Sequence, residues 1–164
     1  MPTDAIHIRL ADYGRAEDAF ALVSLIDAYA CDPAGGGQPL SEFARANLVC
    51  ALAARPQAFS VLAFDGDLPV GLINCFEGFS TFACRPLVNM HDVVVLASHR
   101  GRRLGELMLT LVESVARERG ACKLTLEVLD GNHSALKLYA RNGFSAYQLD
   151  PVVGDARFLE KKLV

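Results

Sequence analysis

No apolar run in the chain approaches the 18 or so residues that span a bilayer, and the opening MPTDAIHIRL lacks a basic start followed by an apolar core. A membrane span and a secretory leader are therefore not expected, and the expected compartment is the cytoplasm. Basic charge is not in excess either. Sixteen lysines and arginines stand against 19 aspartates and glutamates, a net charge of −3, so holding a polyanion would require a strongly segregated basic face. Paired cysteines are also missing. Cys31, Cys50, Cys75, Cys84 and Cys122 are odd in number, form no C-x-x-C, and stand in apolar surroundings such as LVCAL and INCFE. This excludes a zinc motif, and the five are expected to be reduced, buried small hydrophobes. Neither a Gly-Lys-Ser/Thr phosphate loop nor a G-x-G-x-x-G turn occurs. With no internal repeat and no dividing linker, the 164 residues are expected to form a single domain, residues 1–164. A hydrophobic share of 52% against 21% charged residues suits a folded core rather than long disorder.

What is present alternates between strand and helix patterns. Residues 5–10 (AIHIRL) read as a first strand, and residues 16–30 as a helix with Phe20, Leu22, Val23, Leu25, Ile26 and Tyr29 on one broad face. The glycine-rich CDPAGGGQP stops that helix as a flexible connector. Ser41 then caps a second helix running to about Arg55, and Pro56 ends it. AFSVLAF, DGD and LPVGLINCF form a β-hairpin around an Asp-Gly turn, followed by EGFSTFACRP as an irregular aromatic connection. Residues 87–96 (LVNMHDVVVL) read as a largely buried strand, although Asn89, His91 and Asp92 interrupt it. A helix follows from Leu104 to Arg119, with Gly120 as its stop, then a strand over residues 122–129. A short helix over residues 134–141 ends at Asn142-Gly143, and two weaker strands are expected at 146–149 and 157–163. The strand-helix-strand unit from Leu87 to Leu129 calls for a parallel crossover and the hairpin for antiparallel pairing, so the sheet is mixed α/β.

The stretch SHRGRRLGELML, residues 98–109, sets three arginines and two glycines directly before a helix. These residues alone leave three readings open: a nucleic-acid patch, a phosphate cradle, or the solvated start of a surface helix. The acidic net charge weighs against the first. A turn of small residues between strand and helix exposes consecutive backbone N–H groups, and the helix start adds the positive end of its dipole. Both suit phosphate oxygens.

Further along, EVLDGNHSALKLYARNGF places an asparagine, a short helix and a tyrosine in fixed order after a strand. Taken together, V-x(4)-R-G-x-x-x-G, a helix, L-x-L-x-V, N-x-x-A-x-x-L-Y and N-G-F resemble the GNAT family of acetyl-CoA-dependent N-acetyltransferases. The resemblance runs from about residue 87 to residue 144, and the upstream β-α-α-β-β order agrees with it. Within the family the chain is similar to the diamine and small-amine branch, in which an aromatic loop, an acidic or polar residue with Asp, three apolar residues and a basic-glycine turn follow one another. Here these are GFSTF, His91-Asp92, Val93-Val94-Val95 and Arg100-Gly101.

The resemblance implies a GNAT fold: a mostly antiparallel mixed sheet with a splayed parallel pair, strands 4 and 5, flanked by helices. It implies acetyl-CoA as co-substrate and no metal. The backbone of Val93, Val94 and Val95 would hold the pantetheine arm, with Asn132 near it. Amides among Gly101, Arg102, Arg103, Leu104, Gly105 and Glu106, beside Arg100, would take the pyrophosphate. Arg103 stands where the family commonly has glycine. A positive φ there would strain the arginine by ~1 kcal/mol or more. The expectation is instead that Arg103 already lies in the helix and helps neutralise the phosphates.

Tyr139 matches the family's general acid. A thiolate, its thiol's pKa about 8.5, leaves more readily when a phenol, pKa about 10, donates to it. Its other reading is ring packing beside Ala135 and Leu136. His91 stands where similar diamine enzymes carry glutamate, and a reference pKa near 6.5 suits a base acting directly or through water. It reads equally as a hydrogen-bonded core histidine. Asp92 is either a structural carboxylate or a partner for the substrate ammonium, and Asn132 reads also as a helix cap. Phe76, Glu77, Phe79 and Phe82 either shape an amine pocket or pack. His99 and His133 read as surface residues. No cysteine lies at a matched catalytic position, so direct attack in a ternary complex is expected.

The acceptor expected is a small primary amine such as a polyamine, an amino acid or an aminoglycoside-like compound. Protein N-termini and lysines stay open. A non-catalytic acyl-CoA sensor is the alternative from another class. The resemblance also implies a homodimer; no nucleic-acid or membrane partner is expected.

Overall fold

The computed structural model describes residues 6–147, 150–154 and 156–163. Five strands, β1 (Ile6–Leu10), β2 (Ala58–Asp65), β3 (Leu68–Ser80), β4 (Arg85–Val95) and β5 (Leu124–Leu126), lie side by side in sequence order. The first four pair antiparallel, and β4 pairs with β5 in parallel. Four helices accompany them: α1 (Ala16–Cys31), α2 (Glu42–Ala53), α3 (Leu104–Glu118) and α4 (His133–Arg141).

Side chains alternate across a strand, and β2 shows the result. Phe59, Val61 and Ala63 pack with Met108, Leu109 and Val112 of α3, whereas Ala58, Leu62 and Phe64 pack with Leu22, Leu25 and Leu52 of α1 and α2. A strand covered on both faces reads as a continuous apolar run, as AFSVLAF does. The polar ends are settled locally. The Ser41 hydroxyl accepts from the Ala44 N–H at 3.1 Å, and Gly120, at φ 73°, turns the chain out of α3. Asp18, 1% exposed, joins β1 to α1 by accepting from the Arg9 guanidinium and, at 2.8 Å, from the Asp12 N–H. Arg9 also lies 4.9 Å from the centre of the Phe64 ring.

Several expectations need correction. EGFSTFACRP is not irregular: β3 and β4 continue through it, with Phe79 opposite Pro86 and Ser80 opposite Arg85. The turn closes at Cys84, φ 50°, and leaves Phe82 97% exposed. The fifth strand is three residues rather than eight, because β5 parts from β4 after Leu126. No strand forms at residues 146–147 or 156–163, where Phe158, Leu159 and Leu163 are exposed; Gln148 and Leu149 of the first expected strand lie outside the described residues. An edge of three residues offers too short a ladder to hold them. Among the cysteines only Cys75 is buried, and Cys31, Cys50, Cys84 and Cys122 are exposed. Apolar sequence neighbours do not bury a residue when the helical period turns it outward, as at Cys50 of α2. Phe20 likewise faces outward from α1.

Candidate functional site

Between Asn74 and Cys75 the β3–β4 register slips: Asn74 faces Asp92, Cys75 faces Met90, and His91 is the extra residue. A bulge of this kind bends its strand and ends regular pairing. The parallel ladder accordingly runs only from Val88↔Leu124 to Met90↔Leu126. Beyond it the edge of β4 at residues 93–95 has no neighbouring strand among the described residues. The gap opens into a cleft of about 1240 Å³, walled by β4, the end of α1, the start of α3, and α4.

One mouth of the cleft is the turn leading into α3. Gly101 takes φ 77°, and Arg103 sits at φ 60°, ψ 16°, as the residue before the helix. The expectation of a helical Arg103 is therefore overturned: the position needs a left-handed residue, and the arginine bears that strain. No side chain caps α3. The first intrahelical bond runs from the Leu107 N–H to the Arg103 carbonyl, so the N–H groups of Leu104, Gly105 and Glu106 lack helical partners. Arg100 donates from Nε to the Val95 carbonyl at 3.1 Å and lies 3.6 Å from Asp32 at the end of α1. Glu106 accepts from Arg103 at 2.7 Å and pairs with Arg141 of α4 at 3.0 Å. The Arg103 guanidinium above all, with Arg141, holds its carboxyl below the usual range.

Tyr139 of α4 lies on the cleft wall, 7% exposed, with its ring 5.7 Å from that of Phe144. Its hydroxyl makes no hydrogen bond among the described residues. Burial, with Tyr29 nearby, pushes its phenol up to about 12. His91 is exposed in the bulge rather than buried in the core, and its ring stands edge-on to Phe76 at 5.5 Å.

The cleft brings together His91, Val93, Val94, Val95, Arg100, Gly101, Arg103, Leu104, Gly105, Asn132 and Tyr139. Its wall does not include Arg102, Glu106, Asp92, Phe76, Glu77 or Phe79. Arg102 pairs with Asp65 at 2.8 Å, and His99 approaches the same carboxylate at 3.3 Å. Asp92 accepts from Asn74 at 3.0 Å, and Glu77 pairs with Arg119 at 3.1 Å. Phe79 is exposed on the hairpin. Asn132 caps α4, accepting from the Ala135 N–H at 3.2 Å, while also facing the cleft.

Sequence reading missed Tyr29, Asp32 and Arg141 on the cleft wall. Tyr29 belongs to the apolar face of α1, and nothing local distinguishes it from a core residue. Ser60 and Asn74 are polar interruptions in two otherwise apolar strands, a signal present in the sequence.

A mixed sheet that opens between one parallel pair, with an uncapped helix start at the mouth of the gap, defines an α/β class with an open cleft at the parting strands. Residues 22–144 match the Acetyltransferase (GNAT) family, and the chain belongs to that family. It is 34% identical over 94 residues to the streptothricin acetyltransferase of Streptomyces lavendulae, covering 57% of this chain and 47% of that protein. It is 33% identical over 75 residues to the thialysine N-epsilon-acetyltransferase of Mus musculus, covering 46% of this chain and 44% of that protein. The chain thus spans about half the length of the curated relatives it matches. The crystal structure of a probable acetyltransferase superposes with a TM-score of 0.79 at 21% identity, covering 95% of this chain and 98% of that one, and shows the shared fold.

Proposed function

We propose that this chain transfers the acetyl group of acetyl-CoA to a primary amine of a small molecule, by direct attack in a ternary complex. The observation that carries the reading is the single cleft that joins the unpaired edge of β4 to the buried phenol of Tyr139. The family uses acetyl-CoA as co-substrate, and the residues present suit it. The free edge at Val93, Val94 and Val95 matches a chain of amides, and the unpartnered N–H groups of Leu104, Gly105 and Glu106 match a pyrophosphate. Gly101 supplies the positive φ of the turn, Arg100 and Arg103 supply charge, and Asn132 holds the start of α4 beside the cleft. Arg102, engaged by Asp65, steadies the turn instead. Glu106 contributes its backbone, since its carboxylate is occupied by two arginines.

Acetyl-CoA, when bound, supplies an acetyl group activated as a thioester. Tyr139, held at about 12, is fully protonated at neutral pH and donates to the departing sulfur; assistance of this sort contributes roughly 10²- to 10⁴-fold. His91 takes the amine's proton, directly or through water, so that the net proton moves from nitrogen to sulfur. A backbone N–H of the β4 edge polarises the carbonyl. Asp92 receives the ammonium of the acceptor, and Phe76, in contact with His91, borders it. Glu77 and Phe79, placed toward Arg119 and the hairpin surface, are left out of the acceptor site.

For the acceptor we infer an aliphatic amine on an amino-acid-like framework. The support is likeness to one relative named for streptothricin and another named for thialysine. The test is incubation with acetyl-CoA and either compound, reading thiol release and the N-acetyl product by mass spectrometry. Binding of acetyl-CoA without release of coenzyme A, across both compounds and a panel of diamines, would turn the reading to an acyl-CoA sensor. The same reading carries a homodimer, which light scattering coupled to size exclusion checks.

A further inference from the structure

One rung of the sheet is out of character with its surroundings. On the face covered by α1 and α2, next to the apolar rung of Leu62, Leu72 and Val94, stand Ser60, Asn74 and Asp92. They are direct cross-strand neighbours, Ser60 opposite Asn74 and Asn74 opposite Asp92. Ser60 and Asn74 are 1% and 3% exposed. The Tyr13 hydroxyl lies 2.8 Å from Ser60 Oγ, Ser60 donates to Asn74 Oδ1 at 2.6 Å, and Asn74 Nδ2 donates to Asp92 Oδ2 at 3.0 Å. Ser60 has one proton and gives it to Asn74, so Tyr13 is the donor at the first link. Every donor in the chain therefore points toward Asp92.

Such a rung does not repay its burial in stability, because apolar side chains of similar volume hold a sheet at least as well. Its order matters at its end. Asp92 directly follows the bulged His91 and precedes the free edge of β4. Among the described residues it has no cationic partner and its Oδ1 no hydrogen-bond donor. Its charge reaches Tyr29 on the cleft wall, raising that phenol in addition to the larger effect of burial. A half-buried carboxylate held by one donor, itself oriented by two hydroxyls behind it, and lacking a cation among the described residues is prepared for one that arrives from solution.

We propose that Asn74, oriented by Ser60 and Tyr13, is a positioning residue that fixes the Asp92 carboxylate for the ammonium of the acceptor amine. The proposal rests on the ammonium role given to Asp92 above. It is specific to this polar rung and separate from the groups that hold acetyl-CoA.

Steady-state kinetics with thialysine as acceptor test it in Asn74→Leu, Asp92→Asn and the double variant, with Ser60→Ala and Tyr13→Phe as milder changes. A lost bond to a charged group predicts an amine KM raised roughly 10-fold or more in Asn74→Leu. KM for acetyl-CoA should stay within about twofold, since none of the residues proposed to hold it belongs to the rung. Melting temperature should fall by a few degrees in Asn74→Leu, since the buried Ser60 hydroxyl and the Asp92 carboxylate each lose a partner, so the separation of the two KM values rather than the Tm carries the test. In the Asp92→Asn background, Asn74→Leu should add nothing, a coupling that a structural role alone does not produce. The proposal falls by itself if Asp92→Asn raises the amine KM while Asn74→Leu, Ser60→Ala and Tyr13→Phe leave it unchanged, or if both KM values rise together. If Asp92→Asn leaves the amine KM unchanged, the ammonium reading fails first and takes the rung with it.

Discussion

Gly105 lies so close to Leu138 that a β-carbon on the glycine would come within 2.7 Å of Leu138 Cδ2. The first turn of α3, proposed to bind pyrophosphate, is thereby pressed against the helix that carries Tyr139. Gly105→Ala should force the Leu138 side chain to turn aside from α3, at a cost of about 1 kcal/mol or more. Thermal unfolding would show the loss as a Tm lower by several degrees, and Leu138→Ala should recover part of it in the double variant. Additive losses in the two variants would mean that the contact is not shared.

Tyr139→Phe keeps the ring beside Phe144 and removes only the hydroxyl. The kcat should fall roughly 10²- to 10³-fold while calorimetric affinity for acetyl-CoA and the Tm stay unchanged. Because burial pushes the phenol up to about 12, its ionisation should not reduce kcat below about pH 11. A rate profile that breaks near pH 10 only in the wild type would assign the hydroxyl a more exposed setting.

Asp18 is the buried half of the pair that joins β1 to α1, and Arg9 above all holds its carboxyl below the usual range. A carboxyl depressed in the folded state adds stability above its unfolded value, about pH 3.9, and that stability is lost as pH falls through the lower folded value. Asp18→Asn leaves Arg9 without its charge partner and should cost about 3 kcal/mol at neutral pH. Denaturant titrations between pH 2 and 7 should show a shallower acid decline in the variant than in the wild type.

Native thiol labelling should reach Cys31, Cys50, Cys84 and Cys122 and spare Cys75. The four are exposed, whereas Cys75 is buried and its thiol is pushed up to about 12 by that burial. Peptide mapping after a short reaction would identify the sites, and Cys75 should react only on unfolding. Rapid modification of Cys75 in the native protein would contradict its packing against the α3 face.

Much of the fold was legible because its signals are local. Ser41 caps α2 and Gly120 stops α3, while the Asp-Gly turn joins β2 to β3, as the residue types demand. The order of elements through Arg141 follows from apolar spacing. The candidate site was legible only as two motifs, one before α3 and one in α4. What joins them is non-local: Arg141 turns to Glu106, 35 residues away, while Arg102 of the first motif turns to Asp65 at the end of β2, 37 residues away. No periodicity encodes such pairs. The C-terminal strands were misread because an alternating pattern states what a strand would bury, and it cannot supply the neighbouring edge.

By itself the amino-acid order determined which segments coil and which extend, since capping, turn chemistry and hydrophobic period act over a few residues. Only the tertiary structure decided that His91 is the extra residue of a bulge, that Arg103 bears a left-handed conformation, and that Asp92 ends a polar rung. Each depends on register between strands or on the approach of distant helices. A shift of one residue in pairing leaves every local pattern unchanged while moving side chains to another face.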